Sequence, residues 1–238
     1  MAFTPQRWPA FVTPSEPDLT VWRIALDASP ERTSSAFRLL SVDERTRFNR
    51  FKVERARRRF AVARASLRCL LGQIIKTPPE SVRFEYGAHG KPRIHPAQNP
   101  EDVRFNLSHS GDIALLALTV GREVGVDVER LRDRVPFQKL AARFFAPEEA
   151  ESLNQLSGPD LRLRFFRIWT AKEAYIKAIG MGLRIPLDQF AFQIGGAPDI
   201  ALTQTDHDPT QLTRCRFFQF QPDDLSIATI GLERLLES

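Results

Sequence analysis

The sequence predicts an α+β protein built as a pseudo-dimer of two similar halves, each with helices packed on a mainly antiparallel sheet. The first observation behind this is an internal repeat. Ser41-Val-Asp-Glu-Arg-Thr-Arg-Phe-Asn-Arg-Phe51 parallels Ala146-Pro-Glu-Glu-Ala-Glu-Ser-Leu-Asn-Gln-Leu156, and Arg59-Phe-Ala-Val-Ala-Arg-Ala through Gly72 parallels Arg167-Ile-Trp-Thr-Ala-Lys-Glu through Gly180. Phe84 to Pro92 parallels Phe190 to Pro198, and Arg104-Phe-Asn parallels Arg216-Phe-Phe. The second observation is that each copy sets its helical segments ahead of short strand-like runs, which groups helices and strands as an α+β layout does. Length is the third: 238 residues suit one large domain or two small ones, and an apolar fraction of 42% can build a core. The expected division is an extended Pro-rich arm over residues 1–18, a first half over 19–120 and a second half over 121–238.

The elements follow in order. Pro5, Pro9, Pro14 and Pro17 disfavour regular structure and make an extended arm the natural reading, while Phe3, Trp8 and Phe11 suit packing on the body. Val21 to Leu26 reads as a strand. Ser41 with Glu44 three residues on forms a capping box that opens a helix. From Arg45 to Arg68 the chain is dense in arginine, with Phe48, Phe51, Phe60, Val62, Ala63 and Leu67 as an apolar face, which predicts amphipathic basic helix closing near Gly72 and Pro78-Pro79. Val82 to Tyr86, Val103 to Leu107 and Ile113 to Val120 read as strands, joined through donor-rich turns at Gly87–Pro92 and Ser108–Asp112.

Composition narrows the class of function. Cys69 and Cys215 offer neither a metal spacing nor a disulfide framework, so two free thiols in a reducing cytoplasm are expected. The N-terminus lacks an apolar signal core and no run approaches the ~18 apolar residues of a membrane span, so a cytoplasmic protein without membrane contact is expected. A net charge of +5 and a pI near 9.6 favour anionic partners: nucleic acid, a phosphorylated cofactor or an acidic protein.

Chemistry concentrates in two stretches. Val124 to Val128 reads as a buried strand entered through Gly125, so Asp127 and Glu129 project from one face roughly 6.6 Å apart along the strand. Arg167 to Ile179 reads as a helix on which Trp169, Glu173 and Lys177 share a stripe. If that stripe faces the strand, three carboxylates surround one point and suit Mg2+, with waters and substrate phosphates completing its shell. Each piece alone has a plainer explanation: a solvated strand end, and an i,i+4 pair contributing roughly 0.3 to 0.5 kcal/mol.

Jointly, Gly125-Val-Asp-x-Glu129 followed by Trp169-Thr-Ala-Lys-Glu-Ala-x-x-Lys177 resembles the signature of the surfactin-type 4′-phosphopantetheinyl transferases. That family moves the phosphopantetheine arm of coenzyme A onto a serine of an apo carrier protein, releasing 3′,5′-ADP. The resemblance implies Asp127, Glu129 and Glu173 as the Mg2+ ligands and Lys177 beside the reacting phosphate. It implies Lys172 on the cofactor phosphates, Lys91 and Pro92 beside the adenine, and Ser108 with His109 on the phosphates. Arg47 and Arg59 fall where the family places cations for the 3′-phosphate, although Glu44 stands where another cation is expected. Lys177 and His109 would neutralise developing charge, and Glu173 or a metal-bound water is the candidate base. Acidic carrier proteins would be drawn to the basic surface.

Two rivals stand beside this reading. A nucleic-acid-binding module could use the arginine helix without catalysis, though it leaves the carboxylates unexplained. An enzyme of the same fold could act on another nucleotide-like substrate. The repeat as aligned sets Ala61, Arg64, Ala65 and Cys69 opposite Trp169, Lys172, Glu173 and Lys177, so a single site in a monomer is expected.

Overall fold

A computed structural model of the chain describes residues 6–7, 16, 18–195 and 199–234. Most of the arm expected over 1–18, including Phe3, Trp8 and Phe11, lies outside them, as do residues 196–198 at the end of one repeat pair. Within the arm, β1 (Gln6–Arg7) pairs antiparallel with β2 (Thr20–Ala25).

The first half continues through α1 (Pro30–Arg38), α2 (Val42–Arg50), α3 (Glu54–Ile74), the hairpin β3 (Phe84–Tyr86) and β4 (Pro92–Ile94), then β5 (Val103–Ser110) and β6 (Ile113–Val120). The second half runs β7 (Val124–Arg130), α4 (Phe137–Phe144), α5 (Pro147–Asn154), α6 (Gly158–Ala178), β8 (Phe190–Ile194), β9 (Ile200–Thr205), α7 (Gln211–Arg214), β10 (Cys215–Asp223) and β11 (Ser226–Glu233). The sheet orders β2-β6-β5 and β7-β11-β10 are the same arrangement twice, antiparallel throughout. This is the expected pseudo-dimer.

Three departures from the sequence reading have local causes. The basic helical region is two helices, because Phe51 and Val53 adopt extended backbone (ψ 122° and 119°) and Phe51 packs on Phe60 at 5.2 Å between ring centroids. The long second-half helix begins at Gly158 behind Ser157, with Pro159 in its first turn, well before Arg167, since Leu161, Phe165 and Phe166 add core contacts along its first turns. The expected turn over Ser108–Asp112 is tighter than predicted: Ser108 to Ser110 remain in β5, paired with Leu115 to Ile113.

Each half has its own helix-covered core. A third cluster joins them, with Val21, Leu115 and Ala117 from the first half against Val124, Val126, Val128 and Ile230 from the second. The two sheets therefore meet through the faces turned away from the helices, and β5 lies along β7 at that junction.

Candidate active site

The junction of β5 and β7 is stitched by side chains instead of a backbone ladder. Alternate residues of a strand share a face, and here Asn106, Ser108 and Ser110 meet β7 in step. Val126 N donates to Asn106 Oδ1 (2.9 Å), Ser108 Oγ donates to Asp127 Oδ1 (2.9 Å), and Ser110 Oγ donates to Glu129 Oε2 (2.8 Å). Ser108 and Ser110 of the first half thus donate to the two acids of the second, and Asn106 accepts from their strand's backbone.

Above Asp127 lies α6, brought close by a missing side chain. A Cβ at Gly125 would fall 2.1 Å from Ala174 O, so only glycine lets the helix settle on the strand. At that distance Lys177 Nζ donates to Asp127 Oδ1 (2.5 Å) and to Ser108 Oγ (3.2 Å), and it stands 3.9 Å from Glu173 Oε2. Asp127 is 3% exposed, and its Oδ2 is buried without a hydrogen-bond partner.

Burial raises the pKa of all three carboxylates. For Asp127 it outweighs the Lys177 ammonium. For Glu129 and Glu173 burial is again the largest cause, and each is pushed further by the other acidic groups nearby. Such a set gains from added positive charge. The donor chemistry fits a hard divalent cation: carboxylate oxygens, one of them an orphaned Oδ2. Among the described residues, however, no group of acidic, His or Cys side chains is drawn together tightly enough to hold a metal by itself, and the Lys177 ammonium is the cation in contact with Asp127.

The first half contributes cations across the same seam. His109, near the end of β5, has its pKa lowered, first by partial burial of its ring and further by the positive charges of Lys177, Arg59 and Arg47. Those four basic groups therefore share one electrostatic neighbourhood. Arg47 is exposed, its guanidinium 5.2 Å from the Phe60 ring centroid. Arg59 pairs with Asp112 in the β5–β6 turn, where Arg55 also donates to both Asp112 oxygens (3.0 and 2.8 Å).

Comparison with known proteins converges on one family. Residues 123–230 match the 4′-phosphopantetheinyl transferase superfamily, and residues 25–120 match the 4′-phosphopantetheinyl transferase N-terminal family. The chain is 36% identical over 227 residues to the 4′-phosphopantetheinyl transferase HetI of Nostoc sp., covering 92% of each. The chain belongs to the 4′-phosphopantetheinyl transferase superfamily. It is 30% identical over 172 residues to the 4′-phosphopantetheinyl transferase of Bacillus subtilis, covering 71% of this chain and 74% of that one. It is also 30% identical over 167 residues to the human L-aminoadipate-semialdehyde dehydrogenase-phosphopantetheinyl transferase, covering 67% and 54%. The enzyme is thus a transferase of the 4′-phosphopantetheine arm of coenzyme A onto carrier proteins.

Within this phosphopantetheinyl transferase, two expected cofactor residues are placed differently. Lys172 is 0% exposed; its ammonium donates to Glu149 Oε2 (2.6 Å), Leu187 O (2.7 Å) and Phe190 O and lies 4.5 Å from the Phe190 ring centroid. It is a core ion pair and cannot reach a cofactor phosphate. Lys91 Nζ is likewise engaged, with Glu123, Val124 O and Ala178 O, although Pro92 follows it at the start of β4 beside the Gly87–Gly90 turn. Trp169 shares a helical stripe with Glu173, but its ring joins Phe144, Phe145 and Phe165 in the core.

Sequence reasoning missed Ser110, Asp112 and Arg55. Ser110 had a readable signal, since Ser108-x-Ser110 repeats the period-two spacing of Asp127-x-Glu129. The pairing of Arg55 and Arg59 with Asp112 joins residues far apart in sequence and left no local trace. The arginines of α3 are largely paired: Arg57 and Arg58 with Glu54 of the same helix, and Arg64 and Arg68 with Glu44 of α2.

Proposed function

We propose that the transfer is run at the β5–β7–α6 seam, with Asp127, Glu129 and Glu173 as the residues that would hold Mg2+, in the manner of a surfactin-type enzyme. The observation carrying this is the buried Asp127 carboxylate, bonded by Ser108 and Lys177 on one oxygen and unpartnered on the other. When bound, Mg2+ would supply Lewis-acid stabilisation of pyrophosphate oxygens.

The chain's own residues do the rest. Lys177 provides an ammonium beside the metal-binding carboxylates, suited to charge that develops as the phosphorus–oxygen bond to the leaving 3′,5′-ADP breaks. His109 presents a hydrogen-bond donor from the opposite half. Glu173, its basicity raised by burial, is the side-chain candidate to take the proton of the carrier serine. Arg47 and Arg59 would meet the 3′-phosphate, and the turn before Pro92 would sit beside the adenine. Carriers with acidic helices would be steered by the net charge of +5, and the working unit would be the monomer.

The test is to mix the purified protein with coenzyme A, Mg2+ and an apo carrier protein and to weigh the carrier. A mass gain of one phosphopantetheine arm, lost with excess chelator, is expected. Full transfer in metal-free buffer would remove the metal from the account, and no transfer to any carrier would overturn the reading of the site.

A further inference from the structure

Lys91 comes from the β3–β4 hairpin of the first half, yet all three of its partners belong to the second. Its side chain is 9% exposed, and its ammonium donates to Glu123 Oε2 (2.6 Å), Val124 O (3.0 Å) and Ala178 O (3.0 Å). Three donors meet three acceptors, which fills the hydrogen-bonding capacity of an ammonium.

Two of those acceptors are placed with consequence for the site. Ala178 is the last residue of α6, so its carbonyl is one of the acceptors a helix leaves open at its negative end, where a cation is favoured. Val124 is the first residue of β7. The helix bearing Glu173 and Lys177 and the strand bearing Asp127 and Glu129 are thus tied together at one end by a lysine from the other half. Lys177 immediately precedes Ala178, and Asp127 follows Val124 by three residues. Gly180 takes φ +70° just beyond α6, turning the chain away at the helix end where Lys91 arrives, and packs against the Lys91 side chain. Glu123 in turn gathers Arg93 and Arg104 (both 2.8 Å), so the first half grips this corner through three cations.

We propose that Lys91 is a positioning residue: it caps α6 and holds the start of β7 at once, fixing Lys177 relative to Asp127, and its ammonium is not a cofactor contact. This rests on the site proposed above only for its kinetic consequence. A small displacement of a catalytic cation from the reacting phosphate is costly in rate and need not weaken substrate binding.

The test compares Lys91→Met with the native enzyme by steady-state kinetics with coenzyme A and with dephospho-coenzyme A, and by amide hydrogen exchange. Positioning predicts that kcat falls roughly tenfold or more, that KM changes less than about threefold, and that the preference between the two cofactors is unaltered. It also predicts faster exchange at residues 174–179 and 124–127, a readout that needs no turnover. Exchange therefore still decides the matter should the native protein prove inactive on every carrier, an outcome that would count against the proposed site alone. A raised KM with kcat retained would make Lys91 a cofactor contact, and unchanged exchange would deny the tie; either overturns the proposal. If Lys91→Met does not fold, Glu123→Gln leaves the lysine its two carbonyls and should lower kcat by roughly two- to fivefold with the same exchange pattern. An unaltered kcat and exchange there would equally overturn it.

Discussion

The two halves share a frame and differ where chemistry is done. The shared part is a buried carboxylate at the third position of α2 and of α5. Glu44 Oε2 accepts from Ser41 N at 3.0 Å and pairs with Arg68 Nε at 2.6 Å, while Arg68 also donates to Pro79 O and Val82 O. Glu149 Oε2 accepts from Ala146 N at 3.0 Å and pairs with Lys172 at 2.6 Å, while Lys172 also donates to Leu187 O and Phe190 O. One device therefore fixes a helix against the loop that follows it, twice.

That correspondence sets Arg68 opposite Lys172, one turn away from the pairing of Arg64 with Lys172 that the sequence repeat suggests. In the corrected register Cys69 and Gln73 stand where the second half has Glu173 and Lys177. The strands diverge similarly. Ladder pairing and core membership set Trp22 and Ile24, which face α3, opposite Asp127 and Glu129, which face α6. Thr20 and Leu118 stand where Gly125 and Gly231 let α6 approach. One half has kept an apolar helix–sheet contact, and the other has opened that contact to acids.

From this contrast, the largest effects on turnover are expected in the second half alone. Asp127→Ala should lower turnover roughly 10^3-fold while circular dichroism and the unfolding midpoint show a folded protein. Activity within tenfold of native would return Asp127 to a structural role. Lys177→Ala should lower kcat by roughly 10^2 to 10^3 with KM for coenzyme A nearly unchanged; a loss seen wholly in KM would mean that Lys177 binds the ground state.

The shared ion pairs should instead register as stability. Glu44→Gln leaves Arg68 buried without its carboxylate and should cost about 3 to 5 kcal/mol in denaturant unfolding, and Glu149→Gln a similar amount. Burial alone would raise the Glu44 pKa, but Arg64 and Arg68 hold it below its usual value of 4.5. A carboxylate depressed in the folded state stabilises above its unfolded pKa, and the contribution is lost as pH falls through that value toward the folded one. The native protein should lose this increment below about pH 4.5, and Glu44→Gln should show a flatter acid limb. Equal acid limbs would show that the pair contributes nothing. Smaller again, Mg2+ at a hundred times its Kd should stabilise the native protein by about 2.7 kcal/mol, a shift of several degrees in Tm. Asp127→Asn should abolish that shift, and a shift that survives the substitution would place the ion elsewhere.

Much of this was legible because the relevant signals are local. Asp127-x-Glu129 on a strand behind Gly125, and Glu173 with Lys177 one turn apart, are fixed by the periods of strand and helix. So were the Ser41–Glu44 cap and the pairing of Arg104-Phe-Asn with Arg216-Phe-Phe, which the β5 and β10 registers reproduce. The register of the paired helices was not legible, because helices repeat every turn and a four-residue slip preserves most of the apolar pattern. Nor was the fate of Lys91, in a hairpin turn, and of Lys172, within a helix: a lysine reads alike in a string whether its ammonium meets a ligand or a buried carboxylate and carbonyls. Only tertiary contact separates those outcomes.

Whether the duplicated fold carries one active site, as proposed, or two is decided by stoichiometry. Calorimetric titration with coenzyme A in the presence of Mg2+, run beside light scattering on the same sample, should give one equivalent of cofactor per chain in a monomeric, active protein. Two equivalent sites per chain, or activity that emerges only with a dimer, would contradict the account.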